Sequence, residues 1–336
     1  MQVWMVLVGV VLVGLSVSDA VLTTMAVSSA TGPITSRVGG SIWRVARRLA
    51  ASPRSSVLTA AGPVILMATI GVWVLLLWVG WWLVFAAEPG AVVSTSGSVP
   101  ASGWERVYFT AYTLFTLGNG DFKPVGAGWQ VATGAAAANG LVLVTMAITY
   151  VIPVVTAVTE RRQQAATISG IGLTAQDLLV NSWDGSTLRF LDQPLMRFAE
   201  DINRTAQRHL TYPCLHFFHS AERSDEFAVS VAALDEALTI ITLTVDEHAR
   251  PHRAAVGAAR AAISRLLAII EAGFHDGADR SPPPPDLTPL REAGIPIVDE
   301  GFHDRLADLD GRRRVLYGFT TGSTWPWEEA VETISR

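Results

Sequence analysis

The sequence predicts an all-α membrane protein whose first half spans the bilayer and whose second half forms a mostly helical soluble domain. Half of the 336 residues are hydrophobic, 16% are charged, and the mean hydropathy is +0.34, which is too apolar for an ordinary soluble protein of this length. Three stretches are long enough for a helix to cross a hydrocarbon core, which takes about 20 residues. Charged residues, histidines and prolines gather after Glu160, so the membrane half comes first.

The first apolar stretch runs from Gln2 to about Met25 and predicts an amino-terminal transmembrane helix within residues 1–28. A secretory signal peptide begins with basic residues and has a shorter apolar run, so we interpret this stretch as a retained span. Only Asp19 interrupts it, and an acidic residue inside a span is a functional candidate. Its place near the end of the span favours instead a structural bond to a hydroxyl such as that of Thr23, or to an arginine of the following link.

The other two stretches carry no charge. The second predicts an outer helix over residues 60–87, in which Trp81 and Trp82 precede Glu88 as in an interfacial aromatic belt. The third predicts an inner helix over residues 127–159. At about 1.5 Å per residue, this helix can cross the core and continue past it.

The arginines set the expected orientation. Basic loops stay on the cytoplasmic side of a membrane, and two further arginines close the third span. We therefore expect a multi-pass protein of the cell membrane with an extracellular amino terminus and a cytoplasmic carboxyl-terminal half, residues 160–336. Residues 29–58 form a basic cytoplasmic link, whose arginines are Arg37, Arg44, Arg47, Arg48 and Arg54.

Between the second and third spans lies an aromatic segment, residues 104–115, about half as long as a span, as expected of a re-entrant pore helix. Its carboxyl end would direct a negative partial charge inward, which favours a cation. The next residues read Thr116-Leu117-Gly118-Asn119-Gly120-Asp121, where glycines let the chain point backbone carbonyls at an ion. Because one such loop cannot surround an ion, several chains must meet at an axis.

This string, followed by Pro124, resembles the T-x-G-Y-G-D selectivity filter of the potassium channel pore-loop family in its two-span bacterial form. The resemblance covers roughly residues 104–160. It implies a pore domain over residues 59–159, with the filter at 116–121, assembled as a homotetramer. The amino-terminal span is then an addition to the two-span plan. By position, the resemblance implies that potassium is bound by Thr116, Leu117, Gly118, Asn119 and Gly120.

The resemblance also implies supporting residues. Asp121 would brace the filter by bonding toward the pore helix, whose aromatic side chains include Tyr108, Phe109 and Tyr112. Asn119 stands where the family has an aromatic residue, and Tyr108 and Phe109 stand where it commonly has tryptophans. Asn119 removes no carbonyl, but it lacks the ring that packs behind the filter and helps to fix its width. Potassium conduction is the first expectation, and a weakly selective monovalent cation channel is the alternative.

A gating role is implied for the inner helix. Gly140 occupies the position of the family's hinge glycine, although close packing of helices explains a glycine there equally well. If Gly140 faces the pathway, Val144 and Ile148 lie on the same face and line an apolar cavity. Pro153 would kink the helix below them.

The second half predicts a helical domain, because apolar residues recur at helical spacing over residues 198–209, 227–243 and 254–270. The prolines of residues 281–285 predict an exposed linker before a final segment, residues 290–336. No glycine-rich phosphate loop follows a strand, so we expect no nucleotide cofactor and no cofactor besides the permeant K⁺. We expect this domain to regulate opening or assembly, in response to a cytoplasmic ligand that the sequence does not identify.

The remaining motifs exclude several functions. His209, Cys214, His216 and His219 lie close in sequence, but Tyr212-Pro213 breaks the helical spacing and apolar residues surround the imidazoles, which favours packing over a metal site. A single cysteine builds neither a disulfide nor a thiolate zinc site within one chain. The net charge of −5 suggests no nucleic-acid partner. The sequence shows no pairing of a nucleophile with a base that would indicate an enzyme. The remaining alternative is a membrane-anchored receptor or enzyme without conductance.

Overall fold

The computed structural model describes residues 2–25, 32–273, 278–298 and 300–328. The expected fold class is confirmed: within these ranges three helices are long and apolar enough to cross a membrane, and most of the remaining chain is helical. The first half contains α1 (Val3–Met25), α2 (Pro33–Leu49), α3 (Ser56–Ala86), α4 (Gly103–Leu114) and α5 (Ala127–Ser169), with strands β1 (Val92–Ser94) and β2 (Phe122–Pro124). The second half contains α6 (Ala175–Asn181), α7 (Asp192–Thr211), α8 (Phe227–Leu243), α9 (Arg253–Gly273), α10 (Thr288–Glu292), α11 (Phe302–Ala307) and α12 (Asp310–Gly322).

The described residues group into two compact units. The first unit comprises Met1–Ser41 and Pro63–Val154, and the second comprises Ile42–Gly62 and Val155–Arg336. The helices α2, α3 and α5 each contribute residues to both units. The second unit therefore contains the ends of two spans in addition to the carboxyl-terminal domain.

In the first unit, α1 packs closely against α3 through small residues. A Cβ atom placed on Gly9 would lie 2.5 Å from the carbonyl oxygen of Gly80, and one on Gly80 would lie 2.8 Å from that of Gly9. The hydroxyl of Ser16 donates to the carbonyl of Trp73 at 2.8 Å. Such close backbone approach is how helices associate in lipid, where apolar side chains alone give little preference for protein over lipid.

The carboxylate of Asp19 holds the start of α2. It is buried and accepts hydrogen bonds from the backbone N–H groups of Ile34 (2.7 Å) and Thr35 (3.2 Å), from the Thr35 hydroxyl (2.6 Å) and from the Trp73 indole (2.8 Å). The first N–H groups of a helix lack partners within the helix and attract negative charge. Asp19 thus caps α2 from a neighbouring helix. Its hydroxyl partner is Thr35, whereas Thr23 bonds to Thr35 in turn.

In the second unit, α8 forms the centre of the core. Almost all of its residues are buried, and it contacts α6, α9, α11 and α12. Its two adjacent acidic residues are paired in the interior: Asp235 forms ion pairs with Arg260 (2.9 Å) and Arg312 (2.5 Å), and Glu236 with Arg313 (2.8 Å). Burial raises the pKa of Glu236, and the Arg313 guanidinium opposes that shift. Pairing of this kind is required of charges in a core.

The proline-rich stretch differs from the expected exposed linker. Pro282 and Pro285 are buried, and Arg313 donates to the carbonyl oxygens of Pro282 (3.2 Å) and Pro283 (2.6 Å). Beyond the stretch, residues such as Leu290 join the core around α8. Consecutive prolines lack N–H donors but keep strong carbonyl acceptors, which a buried arginine satisfies. The described part of the final segment therefore belongs to the domain.

Candidate functional site

A capping box fixes the start of the pore helix α4. The hydroxyl of Ser102 accepts from the Glu105 N–H at 3.3 Å, and the Glu105 carboxylate accepts from the Ser102 N–H at 2.7 Å. The helix ends at Leu114, and at about 1.5 Å per residue it is too short to span a bilayer. The predicted filter, residues 116–121, begins just after the end of this helix.

Aromatic side chains hold α4 against α3. The buried ring of Phe109 meets Phe85 edge to face, with ring centroids 5.1 Å apart. The indole of Trp78 donates to the carbonyl of Val107 at 3.2 Å. Edge-to-face rings stabilise a contact beyond the area they bury, so α4 has a fixed position in the first unit.

The backbone of the filter segment, residues 116–121, alternates in φ. Thr116, Gly118 and Gly120 have φ values of 55°, 65° and 78°, whereas Leu117 and Asn119 are not among the residues with positive φ. Alternation of positive with negative φ allows successive carbonyls to face one side, unlike a β-strand, where they alternate. Glycine adopts positive φ freely, and at Thr116 the same conformation costs about 1–2 kcal/mol.

One side of the filter segment is open in the single chain. Residues Thr116 to Gly120 are exposed, and no atom lies within 4 Å of a Cβ placed on Gly118 or Gly120. The apolar side chain of Leu117 is 65% exposed. This open side of the filter segment leaves room for the filter segments of further chains.

The opposite side of the filter segment is tied to α4 through Tyr108. The Tyr108 hydroxyl donates to Oδ2 of Asp121 at 3.2 Å and accepts a hydrogen bond from the side-chain amide of Asn119. The Tyr112 hydroxyl donates to the carbonyl of Phe122 at 2.8 Å. Asn119 thus reaches the pore helix through an amide hydrogen bond, which the sequence does not reveal.

Thr95, which directly follows β1, binds the far end of the filter segment, and the sequence did not reveal this role. Its hydroxyl donates to the carbonyl of Gly120 at 2.6 Å, and its N–H donates to the carbonyl of Asp121 at 2.9 Å. The register of β1 against β2 brings the two together, with Val93 opposite Lys123. The adjacent valines of β1 could have indicated a strand here, because β-branched residues favour strands.

The inner helix approaches the pore helix at Gly140. A Cβ atom there would lie 2.0 Å from the carbonyl oxygen of Leu114, so the contact requires glycine. Val144 and Ile148 lie on the exposed side of α5 and, together with residues of α3 such as Ile70, line an apolar groove of about 320 Å³. The helix continues through Pro153 to Ser169, past the expected end at 159. The hinge role of Gly140 stays a prediction.

Residues 212–220, here called the connecting segment, contact two other parts of the second unit. Arg161 of α5 donates to carbonyl oxygens of the segment, among them that of Leu215 at 2.8 Å. The Nε2 atom of His219 lies 2.5 Å from the carbonyl oxygen of Pro53, in the link between α2 and α3. One stretch of the domain therefore holds both the carboxyl-terminal part of the inner helix and the link that precedes the outer helix.

The histidines near the connecting segment pack in the domain. His209 is buried, and burial lowers its pKa to about 3, so it is neutral at physiological pH. The ring of His219 stacks on Trp325, with centroids 6.2 Å apart. Within the described residues, no three or more His, Cys, Asp or Glu side chains are grouped so that they could hold a metal ion. Cys214 and His216 are among the residues to which this applies.

Comparison with known proteins gives two findings. A family model described as "Ion channel" matches residues 64–157, which include α4, the filter segment and Gly140. An uncharacterized membrane protein of Bacillus subtilis (strain 168), YdjJ, is 31% identical over 332 residues, which cover 98% of this chain and 97% of the relative. No solved structure matches the chain.

Proposed function

This chain belongs to the pore-loop ion channel family, and on that premise we propose that it is a homotetrameric potassium channel. Potassium would pass down its own gradient, lose its hydration water in the filter segment, and be bound there by carbonyl oxygens of residues Thr116 to Gly120. The protein then needs no catalytic group and no cofactor other than the permeant ion.

The φ alternation at Thr116, Gly118 and Gly120 is the observation that carries this proposal. A surface turn needs at most two such residues, whereas three at alternate positions favour a row of carbonyls on one side. The negative end of α4 supports the same assignment, because it leads directly into the filter segment. Tyr108 and Thr95 hold the row from behind and from its outer end.

Four copies are proposed because one filter segment supplies ligands on one side of an ion only. The open side at Gly118 and the exposed Leu117 leave room for the copies to meet around an axis. Val144 and Ile148 would then line the space below the filter. The arginines of residues 29–58 support a cytoplasmic place for that link and for residues 160–336, with the amino terminus outside.

A weakly selective monovalent cation channel is the second candidate, and Asn119 is the residue that favours it. An amide bonded to Tyr108 fixes the filter segment at one point, whereas a packed aromatic ring would fix it over a larger area. A filter with adjustable width discriminates less sharply between potassium and sodium.

Ion flux into liposomes that contain the purified full chain tests the proposal. We expect potassium flux to exceed sodium flux several-fold, and Gly118→Ala to abolish it. A methyl group on Gly118 meets no atom of its own chain but disfavours the positive φ. Gly134→Ala on α5 is the matched control, because it also meets no atom and lies at ordinary φ.

Each other result selects an alternative. Equal potassium and sodium fluxes that Gly118→Ala abolishes identify the weakly selective channel. A folded protein that passes neither ion under any condition identifies a membrane-anchored receptor or enzyme. Equal loss of flux in Gly118→Ala and Gly134→Ala would contradict a specific role of the filter segment in ion conduction.

A further inference from the structure

A cavity of about 480 Å³ lies within the second unit, apart from the pore loop. Its walls come from the helical turn Arg189–Leu191, the end of α8, the helical turn Glu247–Ala249 and the start of α9. This volume is within the usual range for small-molecule sites, about 300–1,000 Å³. The cavity is formed by segments that are distant in sequence, so it depends on the folded domain.

Basic side chains dominate the lining. Arg189, Arg250 and Arg253 line the cavity together with His248 and His252. Acidic residues outnumber basic ones in the chain after residue 159, so this cluster is opposite in sign to the domain that carries it. Like charges gathered in one cleft repel each other and attract an anion.

These arginines lack the partners that other arginines of the domain have. Among the described residues, the guanidinium groups of Arg189 and Arg253 form no ion pair or hydrogen bond, and Arg250 uses its Nε to donate to the carbonyl of Val245 at 2.7 Å. By contrast, all six arginines of α7 and α12 are paired with carboxylates or carbonyls: Arg197, Arg204, Arg208, Arg312, Arg313 and Arg314. Donors are therefore left for a ligand at this cavity.

The start of α9 adds to the attraction for an anion. Nδ1 of His252 accepts a hydrogen bond from the N–H of Ala254 at 3.2 Å, which leaves Nε2 as the donor of the neutral ring. The helix that follows has 21 residues, and its positive end lies at the cavity. The nearby carboxylates of Asp192 and Asp246 are engaged with the backbone N–H groups of His252 and His248.

The rest of the lining narrows the class of ligand. Ile241, Pro251 and Val256 give an apolar surface of modest size, and Thr242 and Glu247 offer a hydroxyl and a carboxylate. A bare inorganic anion leaves that surface uncovered. A compact organic phosphate, with a multiply charged end and a ring or sugar that carries hydroxyl groups, matches both parts of the lining.

We propose that this cavity binds a small soluble organic phosphate, held by Arg189, Arg250 and Arg253 at its charged end. The site has no phosphate-binding glycine loop and uses guanidinium groups and the start of α9 in its place. Binding concerns the carboxyl-terminal domain and does not require that the chain conduct potassium. Its failure and the failure of the channel proposal are thus distinguishable.

Calorimetric titration of the full-length protein in detergent tests the site, with ADP, pyrophosphate and adenosine as the probes. We expect saturable binding of ADP, weaker binding of pyrophosphate and none of adenosine. Arg189→Gln combined with Arg253→Gln should weaken ADP binding at least tenfold, because two charge-assisted contacts are lost. Glu247→Gln should tighten pyrophosphate binding several-fold, since it removes a repelling carboxylate.

Arg197→Gln combined with Arg204→Gln on α7 is the matched control, because it removes the same charge from another face of the domain. Equal weakening in the control would show attraction by the domain as a whole and overturn the proposal. Absence of both ADP and pyrophosphate binding would also overturn the proposal. If the protein then binds phosphatidylglycerol vesicles, the arginines are assigned to a lipid headgroup. Thermal melting of each variant verifies that the domain is folded.

Discussion

Tyr108 of α4 forms hydrogen bonds to two side chains of the filter segment. Its hydroxyl accepts from Asn119 and donates to Asp121, so one atom positions two of the six residues of the segment. An amide at position 119 therefore has a partner in this chain, although it lacks a ring. The fit between these residues depends on the length of tyrosine as well as on its hydroxyl.

Tyr108→Phe removes this hydroxyl and keeps the ring. We expect the ratio of potassium to sodium flux to fall at least about tenfold, since the hydrogen bonds to Asp121 and Asn119 are both lost and about 1.4 kcal/mol corresponds to a factor of ten. Tyr317→Phe in the carboxyl-terminal domain is the control. An unchanged flux ratio in Tyr108→Phe would mean that the hydroxyl does not hold the filter segment in its conducting form.

Gly140→Ala separates close packing from a hinge. The added methyl would lie 2.0 Å from the Leu114 carbonyl oxygen and must displace α4 or α5, at a cost of about 1–3 kcal/mol or more. We expect a lower melting temperature and loss of flux, whereas Gly134→Ala should keep the flux and should not lower the melting temperature, because alanine favours a helix more than glycine does. A hinge alone would give an altered flux with the melting temperature of the parent protein.

At the scale of the elements, apolar length was enough to predict α1, α3 and α5, and a short aromatic segment between two spans predicted α4. The filter at residues 116–121, which the family resemblance implies, stays a prediction. Contacts between segments that are distant in sequence could not be predicted. Thr95 depends on the register of β1 and β2, and the proline-rich stretch depends on Arg313. The end of α5 was misplaced because Glu160-Arg161-Arg162 ends an apolar run without ending a helix.

The contact between α1 and α2 gives a prediction at this scale. Asp19→Asn keeps the size of the side chain but replaces one acceptor oxygen with a donor, which faces the donors of Thr35 or Trp73. We expect the protein to lose about 1–3 kcal/mol of stability and to melt at a lower temperature in detergent. Ser18→Ala, at an exposed neighbouring position, is the control. Equal melting temperatures would mean that the cap of α2 adds nothing to stability.

At the scale of the whole molecule, the proposed pore requires other copies of the chain. We expect the protein in nanodiscs to have a protein mass four times the 36.0 kDa of one chain. Native mass spectrometry measures this directly. A stable monomer or dimer that still conducts ions would contradict a pathway on a fourfold axis, because the filter segment would then bind an ion from fewer sides than the proposal requires.

The central place of α8 has a consequence for synthesis. The side chains that cover it include Phe302, Leu316 and Phe319, which the ribosome adds after α8 itself, whereas all three spans are made much earlier. The nascent protein therefore inserts into the bilayer while its most apolar soluble helix still lacks cover. A chaperone that shields α8 would act during this interval.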